Sequence, residues 1–296
     1  MPVSRRHALQ QGPMIRTLLE TAVSGLRPGR RPEGPPQVPG PEHTATVPPR
    51  PRGLVDDFIT ASGGTPANYK GVVPGHLFSQ WGFPLLAKTL RDLPYPLARG
   101  LNGGARIEMH RPLPDDEPLQ LRGWLDHIDD NDRRAVLKTR LVTSTASVPD
   151  AVTATMYAVI PLKRGSGGKK TPALVPTDAT EIGRREVLKQ DAVDYALLTG
   201  DVNPVHWLTP YAKMFGFPST ILHGFATLSY LVETLVETRL EGQPSRLAVI
   251  DVKFTKPVVL PRSIAFYVKD DAVAVGHTPD EPAFLTGTFS ETPTHG

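Results

Sequence analysis

The chain has 296 residues, 39% of them hydrophobic, no cysteine and a formal net charge of +3. That length admits two domains with packed cores, and the lack of cysteine excludes disulfides, a thiol nucleophile and cysteine-ligated zinc while suiting a reducing, cytoplasmic compartment. No apolar run approaches the roughly 20 residues that span a bilayer, and residues 1–12 lack the apolar core of a signal peptide, so neither a membrane span nor secretion is expected.

The charge is unevenly placed. Eight Arg against three Glu fall in residues 1–52, so this arm carries about +5 and the remainder about −2. The arm reads either as a solvated basic tail or as a docking patch for an acidic carrier or a membrane surface. Without interleaved aromatic residues it offers no nucleic-acid signature. Its Arg-rich start also has the look of an organellar transit peptide, against which the density of Pro argues. Ile15, Leu18, Leu19, Val23 and Leu26 share one stripe, which predicts a short amphipathic helix over Pro13–Leu26 that packs on the body. Pro28–Pro51, crowded with Pro, Gly and Arg, is expected to be a linker without stable secondary structure.

A first globular unit follows over 53–163. His76–Leu90 is its candidate central helix, with a kink or a late start forced by Pro84. The strand-like segments Ala105–Arg111, Leu119–Ile128, Arg134–Thr143 and Val152–Ile160 come next. Residues 164–178, rich in Gly, Lys and Pro, read as a second linker. The second unit, 179–296, starts with a strand over Glu181–Leu188 and short helices over Asp191–Thr199 and Pro210–Phe215. A long apolar helix over Gly224–Leu240 and three strands, Leu247–Thr255, Ser263–Lys269 and Ala283–Phe289, complete it. The two units share an order of elements, a faint internal repeat that predicts pairing of the halves as in a dimer.

The reactive residues are concentrated in the second unit. Asp201 and His206 lie five positions apart across the turn-forming Asn203-Pro204, so a bent backbone can aim a carboxylate and an imidazole at one water molecule. Gly224 begins the long helix, and its N–H belongs to a helix N-terminus able to stabilise an enolate oxygen. Asn203 reads as a buried amide that fixes the loop. Asp-x-Asn-Pro alone is more often turn chemistry than catalysis, and Trp81-Gly82-Phe83-Pro84 reads as ordinary core packing or as a break that widens a binding tunnel.

Tyr195, Gly200, Asp201, Asn203, Pro204, His206, Ala212, Gly216, Phe217, Ile221, His223 and Gly224, followed by Lys256-Pro257-Val258, together resemble the hydratase motif of MaoC-type proteins. These are (R)-specific enoyl-thioester hydratases and 3-hydroxyacyl-thioester dehydratases of fatty-acid metabolism. The resemblance implies an α+β double hotdog, two units each with a long central helix wrapped by an antiparallel sheet. It implies that only the C-terminal unit is catalytic, through Asp201, His206 and Gly224, while Tyr195, Asn203, His223 and Phe217 bind substrate. The N-terminal unit then lines a tunnel for the acyl chain. Some relatives carry a Ser two turns into the catalytic helix, bonded to the acid, where this chain has Val232. An acyl-CoA or acyl carrier protein thioester is the implied partner, the chain is a pseudo-dimer that can form a homodimer, and water as co-substrate implies no cofactor and no metal. A hotdog acyl-thioesterase and a non-catalytic acyl-carrier binding module are the competing functions. Neither a G-x-S-x-G elbow nor a metal-ligand cluster favours other hydrolysis.

Overall fold

Apolar residues alternate with polar ones along the longest strands, so one face of each is buried while the other meets solvent, as in Leu119–Asn131 and Arg134–Ser144. The computed structural model describes residues 3–17, 36–97, 100–131, 133–162 and 171–292. Ten of its strands join one sheet, and the short segments Val72–Val73 and Leu113–Pro114 pair in a separate two-stranded one. The strands of the first half are β1 (His43–Val47), β2 (Leu101–Met109), β3 (Leu119–Asn131), β4 (Arg134–Ser144) and β5 (Val152–Pro161). Those of the second are β6 (Thr180–Val187), β7 (Leu247–Phe254), β8 (Arg262–Lys269), β9 (Ala272–Gly276) and β10 (Leu285–Glu291). The spatial order is β1-β3-β4-β5-β2-β7-β10-β9-β8-β6. Read from its outer edge inward, each half therefore has the same order, and the halves meet where β2 pairs antiparallel with β7, Ile107 opposite Ile250.

The helices repeat the same scheme. α1 (Arg52–Ser62) and α2 (Ser79–Thr89) lie between β1 and β2, while α3 (Lys189–Thr199), the short α4 (Thr209–Met214) and α5 (Gly224–Thr238) lie between β6 and β7. α5 is buried on nearly every side from Phe225 to Val236, which marks it as a central helix and not a surface one. α2 starts late, after a 3-10 turn over Gly75–Leu77, and then runs through Pro84 without a break. Trp81 is buried and its Nε1 donates to Thr143 Oγ1 at 3.1 Å, while a Cβ on Gly82 would stand 2.3 Å from Leu141 Cδ2. Of the two readings of this stretch, Trp81 and Gly82 follow packing: the helix lies so close to the sheet that only glycine fits.

Several expectations need correction. Part of the supposed linker is β1, whose His43–Val47 pairs residue by residue with β3 from Gly123 to Leu119. α1 was not foreseen at all, nor was β9, so the second unit closes with four strands. Residues 12–17 are helical where a helix over Pro13–Leu26 was expected, and 18–26 lie outside the described residues. The arm is not a solvated tail over residues 3–17, since His7, Gln11 and Met14 are buried and His7 Nε2 lies 2.7 Å from Asp57 Oδ2 on α1. Of the second linker, 163–170 lie outside the described residues, and Val175 beyond them is buried with its amide bonded to Glu281 O. Among the described residues no helix is long and apolar enough to cross a membrane.

Candidate active site

α3 ends because Gly200 takes a left-handed conformation, φ 80°, and returns its N–H to Ala196 O at 2.8 Å. The chain then turns through Asp201. Asn203 accepts from the Val205 amide at 3.2 Å, and Pro204 opens a 3-10 turn whose last residue is His206. This capping fixes the loop as expected, but Asn203 itself is exposed and not buried, because its partner is the adjacent backbone and not the core. His206 is buried and Asp201 partly so.

His206 Nδ1 lies 2.8 Å from Ile221 O. A carbonyl only accepts, so Nδ1 carries the proton and Nε2 keeps a free lone pair. Burial holds this imidazole below its ordinary pKa of 6.5, against the opposing pull of Asp201. His223 stacks on it with ring centroids 3.6 Å apart and planes 24° from parallel. By the same logic His223 Nε2 donates to Asp201 O at 2.9 Å, which ties the acid's backbone to the start of α5. Its Nδ1 is buried with no partner among the described residues. Burial first, then the neighbouring His206, lowers the His223 pKa to about 3. Both rings are therefore neutral at pH 7.

Nitrogen and carboxylate atoms of Asp201, His206 and His223 lie within 4.8 Å of one another. A metal ligand must point at the ion in its own ring plane, and two stacked rings do not converge in that way. The arrangement suits proton transfer better than metal binding.

The Lys256-Pro257-Val258 segment anchors the other side of the loop. Leu222 N donates to Val258 O and Leu260 N to Thr220 O, both at 2.9 Å, with an isolated bridge between Ile221 and Val259. These bonds aim the Ile221 carbonyl at His206. Gly224 is the first residue of α5, its N–H has no acceptor among the described residues, and a Cβ there would lie 2.7 Å from the Phe254 ring. A helix N-terminus with no acidic residue in its first turn and a bare amide is ready to receive negative charge.

Other expected residues fall less centrally. Tyr195 is buried with its ring 4.9 Å from His223, and its hydroxyl lies near Ser79 and Ser229 without a well-formed hydrogen bond. Burial pushes its pKa well up, so it stays neutral. Phe217 closes the turn after α4 with its amide on Ala212 O and makes no ring contact with the dyad. Val232 is buried in α5, and the nearby Ser229 gives its hydroxyl to Phe225 O at 2.8 Å. The Ile221 carbonyl and the Phe254 ring were missed, being respectively a backbone group and a residue from a distant strand; only the Lys-Pro strand end hinted at them.

The first half has a corresponding place. α1 ends in Gly63, φ 94°, as α3 ends in Gly200, so Gly64 stands where the second half has Asp201 and Tyr69 where it has His206. The missing carboxylate is supplied from across the interface by Glu233 of α5. Tyr69 OH donates to Glu233 Oε1 at 3.1 Å, and His76 Nε2 lies 3.0 Å from the same oxygen. All three are buried, and Phe58 stands between His76 and Tyr195 with ring centroids at 5.4 and 6.3 Å.

Residues 171–281 match the family model described as MaoC like domain. A peroxisomal enoyl-CoA hydratase 2 of Arabidopsis thaliana is 28% identical over 186 residues, 56% of this chain and 60% of that one. The chain thus spans less than two thirds of that relative's length. The solved structure of HtdX from Mycobacterium tuberculosis superposes with a TM-score of 0.67 at 21% identity, covering 84% of this chain and 99% of that one. A second M. tuberculosis protein, whose structure is described as a double hotdog fold, gives 0.54 at 13% identity over 86% and 96%. With two halves of one topology joined at β2 and β7, the chain has a double hotdog fold, and the residues that match the MaoC-like model include Asp201 and His206.

Proposed function

We propose that the protein hydrates trans-2-enoyl thioesters reversibly to (R)-3-hydroxyacyl thioesters. One observation carries the reading: a neutral, tautomer-fixed His206 beside the Asp201 carboxylate, close to a helix whose first amide has no partner. His206 Nε2 takes a proton from water as the oxygen adds to the β-carbon, Asp201 holds that water or handles the second proton, and the α-carbon is protonated. The Gly224 N–H receives the thioester oxygen while it carries enolate charge. The first half, which has Gly64 in place of an acid, binds the acyl chain and does no chemistry; the edge-on contact of Phe83 with Phe225, centroids 6.3 Å apart, brings its α2 next to Gly224. Acyl-CoA is the preferred carrier, because the Arabidopsis relative is named for it, and an acyl carrier protein is the alternative within fatty-acid metabolism. The absence of cysteine suits the cytoplasm, whereas that relative is named peroxisomal; fractionation of tagged protein decides.

The test is loss of enoyl absorbance with crotonyl-CoA, longer enoyl-CoAs and the matching carrier-protein thioesters. Asp201→Asn and His206→Ala should each lower kcat by roughly 10²–10⁴-fold. Gly224→Ala should lower it about 100-fold, because its Cβ drives Phe254 aside and turns the amide. Full activity in both dyad variants defeats the reading. Thiol release without hydration identifies a thioesterase, and tight acyl-thioester binding with neither reaction identifies a binding module.

A further inference from the structure

The N-terminal segment packs on the loop that carries Asp201. α3 ends at Thr199, and the last carbonyls of any helix lack intrahelical donors. Here Ala196 O is taken by the Gly200 amide and Tyr195 O by the Thr199 hydroxyl. Two of the remaining carbonyls, Leu197 O and Leu198 O, both accept from Gln11 Nε2, at 3.1 and 2.9 Å. Gln11 is 2% exposed, so water does not compete for these bonds. Its own Oε1 accepts from Gln80 Nε2 of α2 at 3.1 Å, and Gln80 Oε1 accepts from Arg50 Nη1 at 2.9 Å.

The bonds run in one direction, from a cation through two amides to the negative end of α3, which is the favourable sense for a helix C-terminus. Met14 adds a packing constraint, for a Cβ on Gly200 would meet its side chain at 2.8 Å. His7, bonded to Asp57, fastens the start of the segment to the other half. Asp201 stands three residues beyond Leu198, whose carbonyl is the last that Gln11 holds.

We propose that Gln11 is a positioning residue for the proposed reaction: supported by Gln80 and Arg50, and with Met14 against Gly200, it sets where the Asp201 carboxylate stands. The inference rests on the reading of Asp201 as catalytic, and it gives Gln11 and Met14 a part in that reaction through the loop they hold.

The experiment uses the full chain with Gln11→Met, which keeps size and loses the donors, and Met14→Ala, with Leu9→Ala, 88% exposed on the same segment, as control. Gln11→Met should lower kcat for crotonyl-CoA hydration about 10–100-fold, the cost of a catalytic group displaced by about 1 Å, with KM changed less than about twofold. Amide hydrogen exchange should rise over 199–203 and not over the sheet. In the Asp201→Asn background the Gln11→Met substitution should add nothing further to the loss. A kcat loss that merely tracks unfolded protein, additivity with Asp201→Asn, or exchange raised throughout the chain would overturn the proposal. Absence of hydration by the unsubstituted protein would defeat the catalytic reading instead, while unchanged exchange over 199–203 would defeat the positional role alone.

Discussion

His223 shows how one side chain can serve the site and cost the fold. Its ring is sealed between Tyr195 and His206, its Nε2 hydrogen is spent on Asp201 O, and its Nδ1 has no hydrogen-bond partner among the described residues. Charging it would place a cation against a second imidazole in a dry site, which is why its pKa falls to about 3. The sign follows from linkage. Between 6.5 and 3 the unfolded chain binds a proton that the folded chain refuses, so this contribution to stability is intact above 6.5 and drains away as the pH falls toward 3. At pH 4 the loss amounts to about 3 kcal/mol, and His206, shifted the same way, adds to it. Replacing His223 by Gln keeps a donor for Asp201 O and removes the titration. Urea unfolding between pH 8 and pH 4 should then give a shallower fall in stability for His223→Gln than for the parent, and parallel slopes would refute the assignment. Because burial also holds the His206 pKa below its ordinary value, the acid limb of the hydration rate should lie below the ordinary imidazole range.

At the scale of elements, α5 serves both halves, its N-terminus at Asp201 and His206 and its third turn at the position matching them in the first half. Glu233 is fully buried there, and its Oε2 lies 2.0 Å from where a Cβ on Gly64 would be. Gly64→Ala must push a hydrogen-bonded carboxylate out of place, and overpacking of this kind costs about 1–3 kcal/mol. The equilibrium unfolding midpoint should drop accordingly, and Glu233→Gln in the same background should recover little, since the amide has the same shape. A neutral Gly64→Ala would mean that α5 slides freely against the α1 loop. Sequence reading found α3 and β6 but not their counterparts α1 and β1, and the reason is local. Pro48, Pro49 and Pro51 bracket the junction and read as linker, α1 has Pro51 at its N-cap without a side-chain cap, and the five residues of β1 become a strand only by pairing with β3. The dyad was legible because Asp201, Asn203, Pro204, His206, His223 and Gly224 fall within 24 consecutive positions. Gln11 was not, since the carbonyls it caps lie 186 and 187 positions away.

For the whole molecule, the decisive feature is that the seam between the halves is a strand pair and not a loose domain contact. β2 and β7 are registered from Gly104 opposite Lys253 to Glu108 opposite Val249. A Cβ on Gly104 would lie 2.0 Å from Val252 O, so the backbones close tightly there. One continuous cluster of buried side chains includes Phe58, Leu77 and Ile107 from the first half with Tyr195, Phe225 and Ile250 from the second. Separating the halves would expose that core together with the unpaired edges of β2 and β7, an aggregation-prone surface. The chain should therefore unfold as a single cooperative unit despite its two repeats. Trp81 and Trp124 report on the first half and the partly exposed Trp207 on the second. Fluorescence of a Trp207→Phe variant, which sees the first half alone, and far-ultraviolet circular dichroism, which sees both, should give coincident urea transitions. Two separated transitions would show that the halves hold their folds independently, and the bonds from Arg50 through Gln80 to Gln11 and α3 could not then transmit position across the seam.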